Sequence, residues 1–237
     1  AFGVCAEHRF GVFEMGINHP GEMSVLADIL RPQVAVITNV GSAHVGLLGS
    51  REGIAREKRE IFRHFDGGQT AFVHESSDFL SVLTEGLRGK LVLFGPKSTR
   101  GFEGSQDLGL DGSVIHWEGL RIRFPLFGQH NLNNALAAIS VSAELGISKE
   151  KIVRGLEGVR PLFGRSQVRR GAVTVLEDYY NANPDSLRQL LEFLGELPWP
   201  GRKVAVLGSM KELGGQSEEA HRQVGRLAGQ AGLQALF

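Results

Sequence analysis

Glu14 is an acid at an unusual position in the chain. It lies in the stretch GVFEMGINHPGE, residues 11–22, where Val12 and Phe13 predict the end of a buried strand and the glycines and proline predict a turn. Ligands of parallel α/β sheets bind beyond the carboxyl ends of the strands. Glu14 is therefore either a solvated loop acid or a functional carboxylate. The choice between these two interpretations depends on the other candidate residues of the chain.

His44 follows a second predicted strand end. The stretch VAVITNVGSAHVGLLGS, residues 34–50, begins as an apolar strand, becomes polar at Thr38 and Asn39, and reaches His44 six residues after Thr38. Two strand ends of a parallel sheet lie at the same edge, so Glu14 and His44 are expected to converge there. The alternative is a histidine without a role in a glycine-rich loop.

Lys58 lies on the apolar side of a predicted helix, REGIAREKREIFRHF, residues 51–65. The apolar positions of this helix recur at helical spacing: Ile54, Ile61, Phe62 and Phe65. Lys58 falls on the same stripe. Either its stem packs while the amine reaches water, or the amine has a perturbed pKa close to other functional groups.

Two asparagines stand near the start of another predicted helix, in FGQHNLNNALAAISVSAELG, residues 127–146. Asn131 and Asn134 are three residues apart and therefore share one helix face, next to His130. Their amides suit a base or a phosphate, and the free N–H groups of a helix start favour anions. The alternative for one of them is capping, for which Asn131 is a good N-cap residue.

Asp178 repeats the position of Glu14. In VLEDYYNANPDSLRQLLEFL, residues 175–194, a strand ends in Glu177 and Asp178. Asn183 is then a plausible N-cap and Pro184 a natural first-turn residue of the next helix. The sequence holds neither a Gly-x-x-x-x-Gly-Lys-[Ser/Thr] loop nor a Gly-x-Gly-x-x-Gly motif.

The elements that must position these residues alternate between strand and helix. Strands are predicted at residues 12–14, 34–37, 71–74, 91–94, 173–176, 204–207 and 233–237. Helices are predicted at residues 22–30, 52–65, 77–87, 132–145, 149–156, 184–197 and 218–231. This alternation predicts an α/β fold with mostly parallel sheets covered by helices. Residues 113–117 and 120–124, around Glu118 and Gly119, predict a β-hairpin.

Composition limits the class of protein. The chain has 237 residues, 42% of them hydrophobic, with 26 basic and 26 acidic side chains and one cysteine. This balance gives no basic footprint for nucleic acid, and no apolar run is long enough to insert into a membrane. The single cysteine suits a reducing cytoplasm. The stretch RPLFGRSQ, residues 160–167, predicts a boundary between domains at 1–160 and 161–237.

Seven stretches resemble motifs of the Mur ligases, the ATP-dependent amide-bond ligases of peptidoglycan synthesis, in the family's order. They are EMGINHPGE, VITNVGSAHVGLLGS, IAREKREIF, GQHNLNNALAA, GRSQ, YNANPDS and LGSMKELG. The resemblance implies a central ATPase-like domain at 1–160, incomplete at its N-terminus, and part of a Rossmann-like C-terminal domain at 161–237. The nearest branch adds D-alanyl-D-alanine to UDP-N-acetylmuramoyl-tripeptide through an acyl phosphate, using ATP and Mg²⁺.

The resemblance also implies roles for single residues. Glu14 and His44 match Mg²⁺-binding positions, and Lys58 matches a lysine that takes up CO₂ and becomes a carbamate; all three are then catalytic. The implied nucleotide contacts are Asn131, Asn134, Arg165 and Asp178. The implied setting is the bacterial cytoplasm, with a monomer that binds no nucleic acid.

Some positions depart from the family pattern. Tyr179 and Ser209 stand where Ser and Asp are usual, and the family's phosphate loop is not found in these residues. Without that loop, the chain by itself is expected to be an inactive fragment of a longer enzyme. Three alternatives stay open: a diaminopimelate- or lysine-adding Mur ligase, a ligase like folylpolyglutamate synthase, and a non-catalytic remnant.

Overall fold

The computed structural model describes residues 3, 5–43 and 45–237. Its centre is a parallel sheet of three strands in the order β1 (Val34–Ile37), β2 (Thr70–His74) and β3 (Lys90–Phe94). Val34 pairs with Thr70, and Thr70 with Lys90. The predicted α/β fold with a parallel sheet is confirmed.

Both faces of this sheet are covered, because neighbouring strand residues point to opposite sides. Ala71 and Val73 belong to the larger apolar core, whereas Phe72 packs with Phe94 and Ala137 on the other side. The helices of this part are α1 (Glu22–Leu30), α2 (Val45–Leu48), α3 (Arg51–Arg59), α4 (Leu80–Thr84), α5 (Gln129–Glu144) and α6 (Lys149–Glu157). A 3₁₀ turn, Glu60–Phe62, continues α3.

An antiparallel sheet lies between β3 and α5. It consists of β4 (Phe102–Asp107), β5 (Ser113–Trp117) and β6 (Leu120–Phe124), and a 3₁₀ turn at Gly109–Asp111 precedes β5. The predicted hairpin is confirmed: Glu118 and Gly119 both have positive φ, 48° and 74°, as a two-residue primed turn requires. The sheet packs under α5 and α6 through Trp117 and Ile122.

The elements that follow α6 are called the second unit. It contains β7 (Gln167–Arg169) paired with β8 (Val175–Glu177), then α7 (Pro184–Glu196), β9 (Val204–Ala205), a 3₁₀ turn (Gly214–Gln216), α8 (Ser217–Gln230) and β10 (Ala235–Leu236). Strand β10 runs parallel to β9. Leu191 of α7 and Val224 of α8 belong to the same apolar core as Ile54 of α3, so the two units share a core.

The strand predicted at residues 12–14 is wrong. Residues 10–17 form no helix or strand, and Val12 is 98% exposed. This segment has no partner in the parallel sheet, where β1 is paired only with β2, and three residues without a ladder do not form a strand. Nearby Met15 and Ile17 instead pack into the larger core.

Other predicted elements differ in length. The helix predicted at 77–87 forms only as α4, because Gly86 adopts a positive φ of 65° just beyond it. Strands β4 and β7 were not predicted, and the polar residues of β4 are mostly exposed on one side. In the part of the chain that the structure describes, no helix has the length and apolar character to cross a membrane.

Candidate functional site

The loop after β1, residues 38–43, is the centre of the candidate site. Val40 is buried in the core and anchors this loop, while Thr38 and Asn39 on its polar side are exposed. The Lys58 amine donates a hydrogen bond to the Asn39 carbonyl oxygen over 2.8 Å. The predicted packing of α3 brings Lys58 to this loop, since Ile54, Ile61, Phe62 and Phe65 are all buried as expected.

Lys58 is half-buried, and burial lowers its pKa below the ordinary lysine value. Burial acts in this direction because it penalises the charged ammonium more than the neutral amine. A larger neutral fraction makes the amine a better nucleophile near neutral pH. The Lys58 side chain can therefore supply a reactive amine, while its aliphatic part is packed.

Glu14 lies in an irregular segment and is exposed. Its neighbours explain this, since Met15 and Ile17 pack into the core and leave Glu14 on the solvent side. Among the residues that the structure describes, Glu14 has no hydrogen-bond or ion-pair partner, so its carboxylate is available for a ligand. The predicted place at the end of a strand is wrong, and the role of Glu14 as a metal ligand stays a prediction.

Two other carboxylates hold the turn between Glu14 and α1. Glu22 accepts hydrogen bonds from the backbone N–H of Asn18 over 2.6 Å and of His19 over 3.0 Å. Glu57 of α3 accepts from the N–H groups of Gly21 and Met23, each over 2.9 Å. The segment that carries Glu14 is thus tied to the helix that carries Lys58.

His44 lies outside the described residues, so its convergence with Glu14 stays a prediction. The residues on both sides are described, and Val45 starts α2. In the described ranges, no group of three His, Cys, Asp or Glu side chains stands ready for a metal ion. The donor types of Glu14 and of a carboxylated Lys58 would nevertheless suit Mg²⁺, which prefers oxygen ligands.

The start of α5 forms a second part of the site. The N-cap is Gly128, with a φ of 87°, so the prediction of Asn131 as N-cap is wrong. Asn131 lies within the first turn, is buried, and donates its side-chain amide to the Phe127 carbonyl oxygen over 2.9 Å. Asn134, one turn later, is exposed. Of Asn131 and Asn134, it is therefore Asn134 that presents its amide to solvent at this helix start.

His130 connects α5 to the second unit. Burial lowers the pKa of His130, and the Asp178 carboxylate opposes this through its charge. Asp178 directly follows β8, as predicted, and accepts a hydrogen bond from the Ser166 N–H over 3.0 Å. The fold thus brings the end of β8 within electrostatic reach of the α5 start.

Arg165 lies beside Asp178 on the chain's second unit. Its guanidinium lies over the Tyr180 ring, 4.1 Å from the centroid, and the Tyr180 N–H donates to the Gly164 carbonyl oxygen over 3.0 Å. Arg165 itself is exposed. Arg165 is thus the chain neighbour of Ser166, whose N–H binds Asp178, while its guanidinium packs on Tyr180.

Sequence reasoning did not single out Asp185. Asp185 occupies the second position of α7 and reaches across to the loop after β1, where it accepts two hydrogen bonds from Ser42. In the sequence, the YNANPDS stretch predicts Asn183 and Pro184 as helix-start residues and gives no separate role to Asp185. Both are confirmed in those positions, with a capping box between Asn183 and Ser186.

These features define a class: an α/β protein with candidate site residues in two places. One is the loop after β1, which contacts α3 and α7. The other is the start of α5, where the charge of Asp178 after β8 acts on His130. The Mur ligase middle domain matches residues 2–142, and the Mur ligase glutamate ligase domain matches residues 164–236. The chain belongs to the Mur ligase family.

Several curated relatives are named as UDP-N-acetylmuramoyl-tripeptide–D-alanyl-D-alanine ligases. A UDP-N-acetylmuramoyl-tripeptide–D-alanyl-D-alanine ligase from Treponema pallidum is 44% identical over 237 residues, covering 100% of this chain and 51% of that protein. MurF from Acinetobacter baumannii has a TM-score of 0.88 and 32% identity, over 98% of this chain and 56% of that one. MurF from Thermotoga maritima, solved in complex with ADP, has a TM-score of 0.77 and 26% identity, over 93% and 56%. The chain spans about half the length of the curated relatives it matches.

Proposed function

We propose that the intact protein carrying this chain is an ATP-dependent amide-bond ligase of peptidoglycan precursor synthesis. It joins D-alanyl-D-alanine to UDP-N-acetylmuramoyl-tripeptide, the reaction in the names of its relatives from Treponema pallidum and Escherichia coli. The observation that supports chemistry in this chain is the half-buried Lys58, whose amine contacts the loop after β1. A non-catalytic remnant has no need for such an amine.

Lys58 is proposed to act as a carbamate. The ammonium first loses a proton to solvent. The neutral amine then attacks CO₂, a C–N bond forms as one C=O π bond opens onto oxygen, and a second proton leaves the nitrogen to solvent, so a cation becomes an anion with two oxygen donors. The lowered pKa of Lys58 favours this step, because only the neutral amine attacks. The carbamate, Glu14 and His44 would then hold Mg²⁺. When bound, the ion neutralises charge on the γ-phosphate and the acyl oxygens.

The nucleotide is proposed to bind at the junction of the two units. Asn131, Asn134, Arg165 and Asp178 are the contacts expected from the family motifs. Asn134 and Arg165 are exposed there, and the ADP complex of the Thermotoga maritima relative supports ATP as the cosubstrate. Asn131 serves mainly to fix the α5 start through its bond to Phe127. The proposed domains are residues 1–160 and 161–237.

The proposed reaction has two steps. The tripeptide carboxylate takes the γ-phosphoryl group, which gives an acyl phosphate and ADP. The amine of D-alanyl-D-alanine then attacks the acyl carbon, phosphate leaves, and the amide forms. Since the tripeptide substrate is linked to a nucleotide and the reaction consumes ATP, we place the reaction in the bacterial cytoplasm. We propose that the protein acts there as a monomer and serves cell-wall growth and cell division.

A test of acceptor specificity separates this function from its alternatives. The intact protein is incubated with ATP, Mg²⁺ and UDP-N-acetylmuramoyl-tripeptide, with or without D-alanyl-D-alanine, and phosphate release and product mass are measured. We expect phosphate release that depends on the dipeptide. Release only with diaminopimelate or lysine and the shorter UDP-linked precursor, or only with glutamate and a folate, would identify another ligase. No release with any acceptor would favour the remnant.

A further inference from the structure

We propose that Asp185 is a positioning residue of the candidate site. It fixes the loop of residues 39–43, and with it the Asn39 carbonyl that receives Lys58, when the second unit docks against the first. This inference rests on the proposed ligase function, because that function makes the loop after β1 part of a catalytic site. Asp185 itself touches no reacting group.

The contact between Asp185 and Ser42 is close and doubly bonded. One carboxylate oxygen of Asp185, Oδ2, accepts the Ser42 backbone N–H over 2.6 Å and the Ser42 hydroxyl over 2.6 Å. The other oxygen, Oδ1, accepts from Arg188 over 3.3 Å. A charged acceptor strengthens both bonds to Ser42, so this contact is among the stronger ones that join the two units.

Helix capping does not explain the Asp185 carboxylate. The side chain of Asn183 already caps α7, since its Oδ1 accepts the N–H groups of Asp185 over 3.1 Å and of Ser186 over 2.9 Å. Asp185 is left free to point away from its own helix and toward Ser42. Burial by itself would raise the pKa of Asp185, but the two Ser42 hydrogen bonds and the Arg188 guanidinium together outweigh it and lower the pKa, so the group is ionised at neutral pH.

Glycines make room for this docking. A side chain at Gly41 would place its Cβ 3.0 Å from Asp185 Oδ2. At Gly46 a Cβ would lie 2.8 Å from both the Glu212 carbonyl oxygen and the Gly214 nitrogen, which are rigid backbone atoms. The Gly46 N–H also donates to the Glu212 carbonyl oxygen over 3.3 Å. The second unit thus contacts the segment on both sides of position 44.

The loop is consequently held from two directions. Lys58 of α3 holds Asn39 from the first unit, and Asp185 of α7 holds Ser42 from the second. Two residues, Val40 and Gly41, lie between these two anchors. When the units separate, the loop keeps the Lys58 contact but loses Asp185, so its conformation depends on docking.

Amide hydrogen exchange on the chain tests the contact without any substrate. We expect Asp185→Ala to raise exchange in residues 39–48 by about tenfold or more, and Asp185→Asn by less, because the loss of a hydrogen bond to a charge has this size. The amides of β2 should stay protected, which shows that the fold persists. Glu192→Gln, an exposed change on the same helix, is the matched control. Unchanged exchange of residues 39–48 in Asp185→Ala would overturn the inference.

Two further variants cover the case in which Asp185→Ala unfolds. Ser42→Ala removes one of the two hydrogen bonds and should raise exchange in the same residues, and combining it with Asp185→Asn should give less than the sum of the two effects. Additive effects would show that the two residues are not coupled and would refute the proposal.

Activity of the intact protein tests the consequence separately. We expect Asp185→Asn to lower kcat for ligation about tenfold per folded molecule, while KM for D-alanyl-D-alanine changes less than about twofold. The folded fraction is measured by urea unfolding and used to correct kcat, because unfolded molecules lower the apparent kcat without changing KM. If the unaltered protein catalyses ligation and Asp185→Asn has the same kcat, the inference about Asp185 is refuted and the proposed function stands. If the unaltered protein ligates nothing, the proposed function fails, and hydrogen exchange decides whether Asp185 fixes the loop.

Discussion

The Lys58 amine and the Asn39 carbonyl oxygen lie 2.8 Å apart and join helix α3 to the loop that follows β1. This contact places a half-buried amine at the edge of the parallel sheet where α/β proteins bind their ligands. Burial lowers the pKa of Lys58, so the neutral form needed to take up CO₂ is more accessible than in an exposed lysine.

Replacing Lys58 with alanine should lower the ligation rate of the intact protein about 10- to 100-fold, because a ligand or orienting group of the metal is lost. Added acetate or formate should restore part of the rate by supplying a carboxylate in the vacated space. The measurement is phosphate release as a function of carboxylate concentration. Lys151→Ala, an exposed lysine on α6, should keep the full rate. A full rate in Lys58→Ala would show that the amine has no catalytic role.

Replacing Glu22 with glutamine should make the chain less stable at neutral pH. The backbone N–H bonds of Asn18 and then His19, followed by the His19 side chain, lower the pKa of Glu22 from 4.5 to about 2. A carboxylate with a lowered folded-state pKa stabilises the fold fully above pH 4.5, and this stability is lost as the pH falls from 4.5 toward 2.

Urea unfolding at several pH values measures this effect. The unaltered chain should lose more stability between pH 4.5 and pH 2 than Glu22→Gln does. Glu196→Gln, at the exposed end of α7, is the control and should follow the unaltered chain. Parallel curves for the unaltered chain and Glu22→Gln would contradict the anchoring role of Glu22.

The sequence predicted the parts of the fold that depend on local patterns. The strand at residues 34–37 has the predicted bounds, because an apolar run is enough to define it. The helix at residues 22–30 also has the predicted bounds, because its apolar residues recur at helical spacing and a glycine precedes them. The strand at 12–14 failed for the opposite reason. Its apolar pair looks like a strand locally, but a strand exists only when a neighbour pairs with it.

The candidate site could be predicted only in its residue types. Lys58 was identified because its position breaks an apolar stripe, and the structure places its amine against Asn39. Asp185 was not identified, because its importance comes from Ser42, which lies 143 residues away in the chain. A contact of that separation depends on how two units dock, and no local periodicity reports it.

Replacing Gly46 with alanine should destabilise the chain by about 1–3 kcal/mol, the usual effect of overpacking. The added Cβ would lie 2.8 Å from the Glu212 carbonyl oxygen and from the Gly214 nitrogen, so the backbone of the second unit must move. Urea unfolding gives the change. Gly225→Ala in α8 is the matched control, since no atom lies within 4 Å of its added Cβ, and alanine there should stabilise by up to about 1 kcal/mol. Equal stabilities of the two variants would mean that the units do not dock closely at Gly46.

Replacing Asn134 with alanine should weaken nucleotide binding without changing stability. Asn134 is exposed, whereas the Asn131 amide is buried in its bond to the Phe127 carbonyl oxygen. In the intact protein we expect Asn134→Ala to raise KM for ATP about tenfold, because one hydrogen bond to the nucleotide is lost. The urea midpoint should stay the same.

Two neighbours of Asn134 make this experiment specific. Asn133→Ala removes an amide of the same type, which accepts a bond from Gln129 over 3.3 Å, and should leave KM for ATP within about twofold. Asn131→Ala should instead lower the urea midpoint, because it leaves the Phe127 carbonyl without its donor. If Asn133→Ala raised KM as much as Asn134→Ala, the nucleotide would not be recognised by the Asn134 face of α5, and the assignment of this helix start to ATP would have to be abandoned.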